Sequence, residues 1–309
     1  MEVHVQRHAQ LQGHKAPVYF TGNSAKARHI YSGGSDRMLV EWDIETGMNT
    51  GVICQTPGVI YTACVLPGEN ILLVGNANGG IHVINLAQKQ EVKYLLAHRN
   101  GVFRLKVSTD GTQFYALGGD GVFSVWDAHH FKCIFQANLA QGKLRDIALH
   151  PNGQQIALAC GDGFIRILSS ETFQVMDAWQ AHESSVNAVV YHPEENILIS
   201  GGKDAHLNVW DLQAPGTAIC KIPAHNYAIY SIVFHPDTKI FATGSRDKTI
   251  KLWNTIDFSF LMRIDHATHE GHQRSVNSLY WSDYQNLLVS TGDDRIVMLW
   301  DIHTLNTES

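Results

Sequence analysis

The chain has 309 residues, 44% of them apolar and 17% charged, with 26 glycines and a net charge of −6 at neutral pH. A chain this long can bury ~75% of the surface its unfolded form exposes, which excludes a small scaffold stapled by disulfides or metals, and its low charge excludes a disordered polymer. The acidic balance, with a pI near 6.3, excludes a general nucleic-acid or membrane-surface binder and leaves room for a local basic patch.

The N-terminus, MEVHVQRHAQ, lacks the apolar region of a signal peptide, and no run approaches the ~18 apolar residues of a membrane span. The five cysteines, Cys54, Cys64, Cys133, Cys160 and Cys220, are scattered without CxxC or zinc spacing, so they read as small buried apolar residues in a reducing compartment. A soluble cytoplasmic protein, monomeric on its own, is the expectation.

Along the chain, Trp-Asp or Trp-Asn pairs fall at Trp42-Asp43, Trp126-Asp127, Trp210-Asp211, Trp253-Asn254 and Trp300-Asp301. Ile84-Asn85 and Leu168-Ser169 close apolar runs at the midpoints of the two long gaps, which makes seven units spaced 42, 42, 42, 42, 43 and 47 residues apart. Twenty-eight residues before each Trp stands His14, His98, His182, His225 or His272, whereas the two eroded units carry Thr56 and Ala140. Six residues before it stands Asp36, Asn78, Asp120, Asp162, Asp204, Asp247 or Asp294. Three markers thus keep one register.

Inside a unit the pattern is that of strands: runs of five to eight residues rich in Val, Ile and Phe, divided by turn residues. In the fifth unit these runs are SVNAVVY, ILIS, HLNVW and AICKI, broken by HPEEN, GGKDA and DLQAPG. Pro67, Pro151, Pro193 and Pro236 fall in breaks, where no ladder donor is needed.

A period of ~40–45 residues with Gly-His early and Trp-Asp late resembles the WD-repeat family, in which each repeat builds a four-stranded blade. The resemblance implies an all-β chain folded as a seven-bladed β-propeller in a single domain over residues 1–309. The units run at about 13–54, 55–96, 97–138, 139–180, 181–223, 224–270 and 271–309, the last completed by 1–12. Only IHTLNTES follows Trp300-Asp301, so residues 3–10 are expected to supply the outermost strand of the seventh blade, closing the ring and covering an edge.

The resemblance also implies a buried hydrogen-bonded set of Trp, Ser or Thr, His and Asp in each regular blade. The sets are Asp36/His14/Ser32/Trp42, Asp204/His182/Ser200/Trp210, Asp247/His225/Thr243/Trp253 and Asp294/His272/Ser290/Trp300, and Ala116 is expected to break the one in the third unit. Buried indole, hydroxyl and imidazole groups need partners, and a linked set supplies them. Each set also has the residue types of a Ser-His-Asp triad, but four copies at fixed spacing point to structure rather than catalysis. Asp265, His266, His269 and Glu270 crowd the longest interval and are residue types that ligate zinc or copper. The simpler reading is a solvated loop, and no metal or cofactor is called for.

Four residues after the His register, every unit has an apolar residue, from Val18 to Val276. The next position, which should point the other way, reads Tyr19, Tyr61, Phe103, Arg145, Asn187, Tyr230 and Asn277. By resemblance, this position lies near the mouth of the central channel, where partners dock, and Lys203 and Arg246 line the same face. Four aromatics in seven, against 9% overall, suit an interface, and the three cations suit an acidic peptide. The function expected is therefore a non-catalytic scaffold for a protein or peptide. An enzyme or small-ligand binder using the channel, and nucleic-acid binding through the basic arc, are the alternatives; the net charge disfavours the latter.

Overall fold

The computed structural model describes residues 2–305. Met1 and residues 306–309, the extreme ends of the expected seventh unit, lie outside the described residues. Twenty-eight strands form seven antiparallel sheets of four, with one four-residue helix among the described residues. Six sheets take their strands in chain order; we number them blades 1 to 6, spanning 18–55, 60–96, 102–138, 144–180, 186–223 and 229–264. Blade 7 takes three strands from 276–305, and its fourth is Glu2–Gln12, which pairs antiparallel with Ile296–Leu305. The expected edge-covering strand is thus present.

The fifth unit shows why these segments are strands. Its expected runs become Val186–Tyr191, Ile197–Gly202, His206–Asp211 and Ala218–Pro223. The second strand is buried almost throughout because both of its faces are covered, so its sequence is apolar or glycine apart from Ser200, whereas the outer strand alternates half-buried and exposed residues. The turns after the first strands of blades 4, 5 and 6 use the imidazole of a His-Pro pair. Nδ1 of His150 accepts the amide of Asn152, that of His192 the amides of Glu194 and Glu195, and that of His235 the amides of Asp237 and Thr238.

The chain divides into two compact units. One holds residues 1–55 and 230–309, hence blades 1, 6 and 7; the other holds 56–229, hence blades 2 to 5 and the first residue of blade 6. In each, the core lies between neighbouring sheets. Ile240, Leu252, Val276 and Trp300 pack between blades 6 and 7, and Leu117, Phe123, Leu144 and Leu158 between blades 3 and 4. No helix of the described residues is long and apolar enough to cross a membrane.

Candidate functional site

In blades 1, 5 and 7 one chain of hydrogen bonds runs from the core to the loops. The indole N–H donates to a serine Oγ in Trp42–Ser32 (2.7 Å), Trp210–Ser200 (2.9 Å) and Trp300–Ser290 (2.8 Å). The same Oγ lies 2.7, 2.8 and 2.9 Å from Nε2 of His14, His182 and His272, and Nδ1 of each faces Asp36, Asp204 or Asp294 at 2.7, 2.9 and 2.8 Å. One tautomer serves all three: Ser O–H donates to Nε2, and Nδ1–H donates to the carboxylate. Burial pushes these carboxyls up, but the imidazole and two backbone amides outweigh it and hold Asp36, Asp204 and Asp294 below the usual carboxylate range. In blade 6 the indole of Trp253 donates to Thr243 Oγ1 at 2.9 Å. Ser32, Ser200 and Ser290 are completely buried, so none of them faces a substrate.

Blade 3 corrects the expectation of a broken set. Ala116 offers no hydroxyl, yet Ser124, on the neighbouring strand and paired with Ala116, does. Its Oγ accepts from Trp126 at 2.8 Å and sits 3.2 Å from His98 Nε2, and His98 Nδ1 meets Asp120 at 3.2 Å. A position two residues before the Trp reaches the same point in space as one ten residues before it.

Blades 2 and 4 fill this space differently. In blades 3 and 5 it needs a glycine: a Cβ on Gly118 would lie 2.0 Å from Asp120 Oδ1 and 2.3 Å from His98 Nδ1, and one on Gly202 2.2 Å from Asp204 Oδ1 and 2.3 Å from His182 Nδ1. Where Thr56 and Ala140 replace the histidine, the equivalent residues are Asn76 and Cys160, both fully buried. Asn76 Nδ2 donates to His82 Nε2 at 2.8 Å, which puts the ring proton on Nδ1, 2.6 Å from Glu91. In blade 4, Arg166 grips Asp162 with two bonds of 3.1 and 2.8 Å, and burial pushes the Cys160 thiol up to about 12.

The residues expected at the binding face share a feature that strict strand alternation misses. The first strand of six blades carries a bulge, and the residue skipped by the ladder is Tyr19, Tyr61, Phe103, Arg145, Asn187 or Asn277. A bulge leaves its residue outside the pairing and re-aims the side chain. These six and Tyr230 are half-buried, whereas Lys203 and Arg246 are exposed on turns. The asparagines are committed inside the protein: Asn187 Nδ2 donates to Ile229 O and Asn277 Nδ2 to Val18 O, both at 3.0 Å.

The structure brings Tyr61, Phe103 and Arg145 together. The rings of Tyr61 and Phe103 stack at 4.8 Å and 13°, with the Arg145 guanidinium 5.6 Å and the Lys143 ammonium 5.0 Å from the Phe103 centroid. Gly119 makes this possible, since a Cβ there would come within 2.7 Å of the Phe103 ring. Lys143 and Arg145 continue into a cleft of about 400 Å³ that also holds Lys203, Asp162, Glu183 and Ser184. Lys143 was missed by sequence reasoning because it precedes the strand.

Beneath this patch, side chains of one blade satisfy the backbone of the next. Thr62 Oγ1 accepts from Leu105 N and Asp146 Oδ2 from Val189 N, at 3.0 and 3.1 Å. Arg104, at the equivalent position of blade 3, can only donate. It bonds Asp146 Oδ1 at 2.7 Å, and that oxygen also accepts Ile147 N at 2.9 Å, the amide Arg104 cannot serve.

The loop of Asp265, His266, His269 and Glu270 holds the short helix His266–His269, with Asp265 as its N-cap. Its groups are engaged locally: Asp265 with Arg263 and Thr268, His266 with Gly271 O, His269 with Thr268, and Glu270 with Arg7. Among the described residues, no three His, Cys, Asp or Glu side chains gather as a ligand set.

Residues 89–127, 131–169, 173–211, 216–254 and 265–301, together more than half of the chain, match the WD40 family, described as "WD domain, G-beta repeat". Among curated proteins, the chain is 26% identical over 178 residues to Transcription factor unc-37 of Caenorhabditis elegans, 58% of this chain and 29% of that protein. It is 28% identical over 165 residues to Telomerase protein component 1 of Mus musculus, 50% of this chain and 6% of that protein. It is 23% identical over 199 residues to Intraflagellar transport protein 80 homolog of Rattus norvegicus, 60% of this chain and 25% of that protein. The match therefore spans less than a third of each of these relatives.

Proposed function

Because this chain belongs to the WD40-repeat family, we propose that it is a non-catalytic scaffold that docks a protein or peptide on the loop face of blades 2 to 4. The observation that carries this reading is the Tyr61–Phe103 stack, raised on two bulges and bordered by Lys143 and Arg145. Stacked aromatics beside a guanidinium combine large contact area with low ordering cost, the composition of interface hot spots. The neighbouring Lys143, Arg145 and Lys203 favour an acidic partner segment. That relatives include a transcription factor and an intraflagellar transport protein suits a scaffold rather than an enzyme.

The test is affinity capture with the full chain and with a Lys143→Glu/Arg145→Glu variant, followed by measurement of the dissociation constant of the captured protein at two salt concentrations. The reading expects an acidic segment in the bound protein, at least a tenfold loss in the variant and weaker binding at high salt. Equal binding by both forms overturns it.

A further inference from the structure

Blades 6 and 7 carry a second charged cleft, remote in sequence from the aromatic patch and of different composition. It has a volume of about 440 Å³ and is lined by Arg246, Lys248, Gln273, Arg274, Ser275 and Asp293. None of these is aromatic or aliphatic, so apolar ligands have nothing to bury there. Three cations stand against one carboxylate, and Asp293 itself accepts the Asn277 amide at 2.8 Å. The net charge of the lining is thus about +2, which matches the −1.5 to −2 of a phosphomonoester at neutral pH.

The walls are built rather than loose. Asp293 N donates to Ser275 O at 3.0 Å and Gln273 N to Asp294 Oδ2 at 3.0 Å, so the two loops of blade 7 that flank the cleft are tied to one another. On the blade 6 side, Lys248 occupies the left-handed region (φ 75°) and its amide donates to Ser245 O at 3.2 Å, closing the tight turn that also presents Arg246. The cations are therefore carried by bonded backbone on both sides of the cleft, and preorganisation of this kind lowers the ordering cost of binding.

We propose that this cleft is an anion site for a phosphomonoester group, with Arg246 and Arg274 providing planar forks for its oxygens and Lys248 and the Ser275 hydroxyl completing the set. Arginine matches phosphate oxygens two at a time, whereas lysine acts as a point charge. A nucleic-acid strand is disfavoured because the cleft offers no ring on which a base stacks. The site is independent of the docking surface on blades 2 to 4, and either stands if the other fails.

The experiment titrates the isotopically labelled full chain with inorganic phosphate and, separately, with a short peptide bearing one phosphoserine, following backbone and arginine side-chain resonances at constant ionic strength. Saturable shifts centred on Arg246, Lys248 and Arg274 are expected, with at least a tenfold loss of affinity in both Arg246→Ala and Arg274→Ala. Arg37→Ala, an exposed turn cation outside the cleft, should leave affinity unchanged. Tighter binding of the peptide assigns the group to phosphorylated proteins, and equal binding assigns it to small phosphate compounds; both support the site. Shifts that grow linearly over all surface cations, or wild-type affinity in both cleft variants with unaltered folding, overturn it.

Discussion

Blades 3 and 4 are neighbours in sequence and solve the same packing problem with different chemistry. In blade 3, Gly118 has no side chain and the space beside it holds the His98 imidazole, bonded to Asp120 and Ser124. In blade 4, Ala140 stands where that histidine would, the glycine becomes Cys160, and Arg166 takes over the turn carboxylate of Asp162. The lesson is that these two blades keep a filled volume and a bonded turn carboxylate rather than particular residues. Blade 2 gives a third solution, with Asn76 and His82.

This comparison breaks most visibly at the glycine. Gly118→Ala drives a methyl to within 2.0 Å of Asp120 Oδ1 and 2.3 Å of His98 Nδ1, so it should destabilise the protein by about 3 kcal/mol through overpacking and loss of the bonded set. Cys160→Gly, the reverse exchange in blade 4, should cost only about 1–2 kcal/mol, the loss of one small buried group. Thermal melts of the two variants check the ranking.

The next test concerns hydroxyl position. Ser124→Ala and Ser200→Ala each remove the oxygen that links an indole to an imidazole, so each should cost ~1–3 kcal/mol and the two should agree closely. A neutral Ser124→Ala would mean that blade 3 lacks an equivalent of the other sets.

Acid separates the two blades further. Burial, only partly opposed by Asp120, holds the His98 pKa below its ordinary 6.5. The folded state therefore binds fewer protons than the unfolded one, and the contribution of His98 is complete above pH 6.5 and declines as pH falls below it. The depressed carboxyls of Asp36, Asp204 and Asp294 act lower, their contribution being complete above 3.8 and lost as pH falls through their folded values. Denaturation midpoints measured from about pH 8 to about pH 5 should fall, and His98→Gln should flatten part of that decline. The smallest effect is expected in blade 2, where Glu91→Gln weakens a half-exposed partner of His82 and should cost about 0.5 kcal/mol.

Much of this was legible in the sequence. The period and the seven units follow from markers whose spacing reflects blade geometry, and the borrowed strand expected at residues 3–10 is found as Glu2–Gln12. The exchange of glycine for Asn76 and Cys160 in the two units without the histidine was also present in the sequence, but Ser245 stands at the same position in a unit that keeps His225, so only the Cβ positions of Gly118 and Gly202 show that blades 3 and 5 have no room beside the imidazole. Ser124 was illegible for a related reason: two positions far apart in the alignment of repeats meet through cross-strand pairing. The bulges at Tyr61, Phe103 and Arg145 depend on hydrogen-bond register, which alternation of side chains does not encode. Composition picked out those residues, and only geometry shows two rings stacked under two cations while Asn187 and Asn277 at equivalent positions bind backbone instead.

The central claim is that the Tyr61–Phe103 stack serves a partner rather than the core, and a Tyr61→Ala/Phe103→Ala variant tests it when stability and partner affinity are measured side by side. The account predicts an affinity loss of about 2 kcal/mol or more, roughly thirtyfold, with a stability loss well short of the ~3–5 kcal/mol of a buried Phe→Ala change. A stability loss of that full size, with partner affinity unchanged in the fraction that folds, would contradict it.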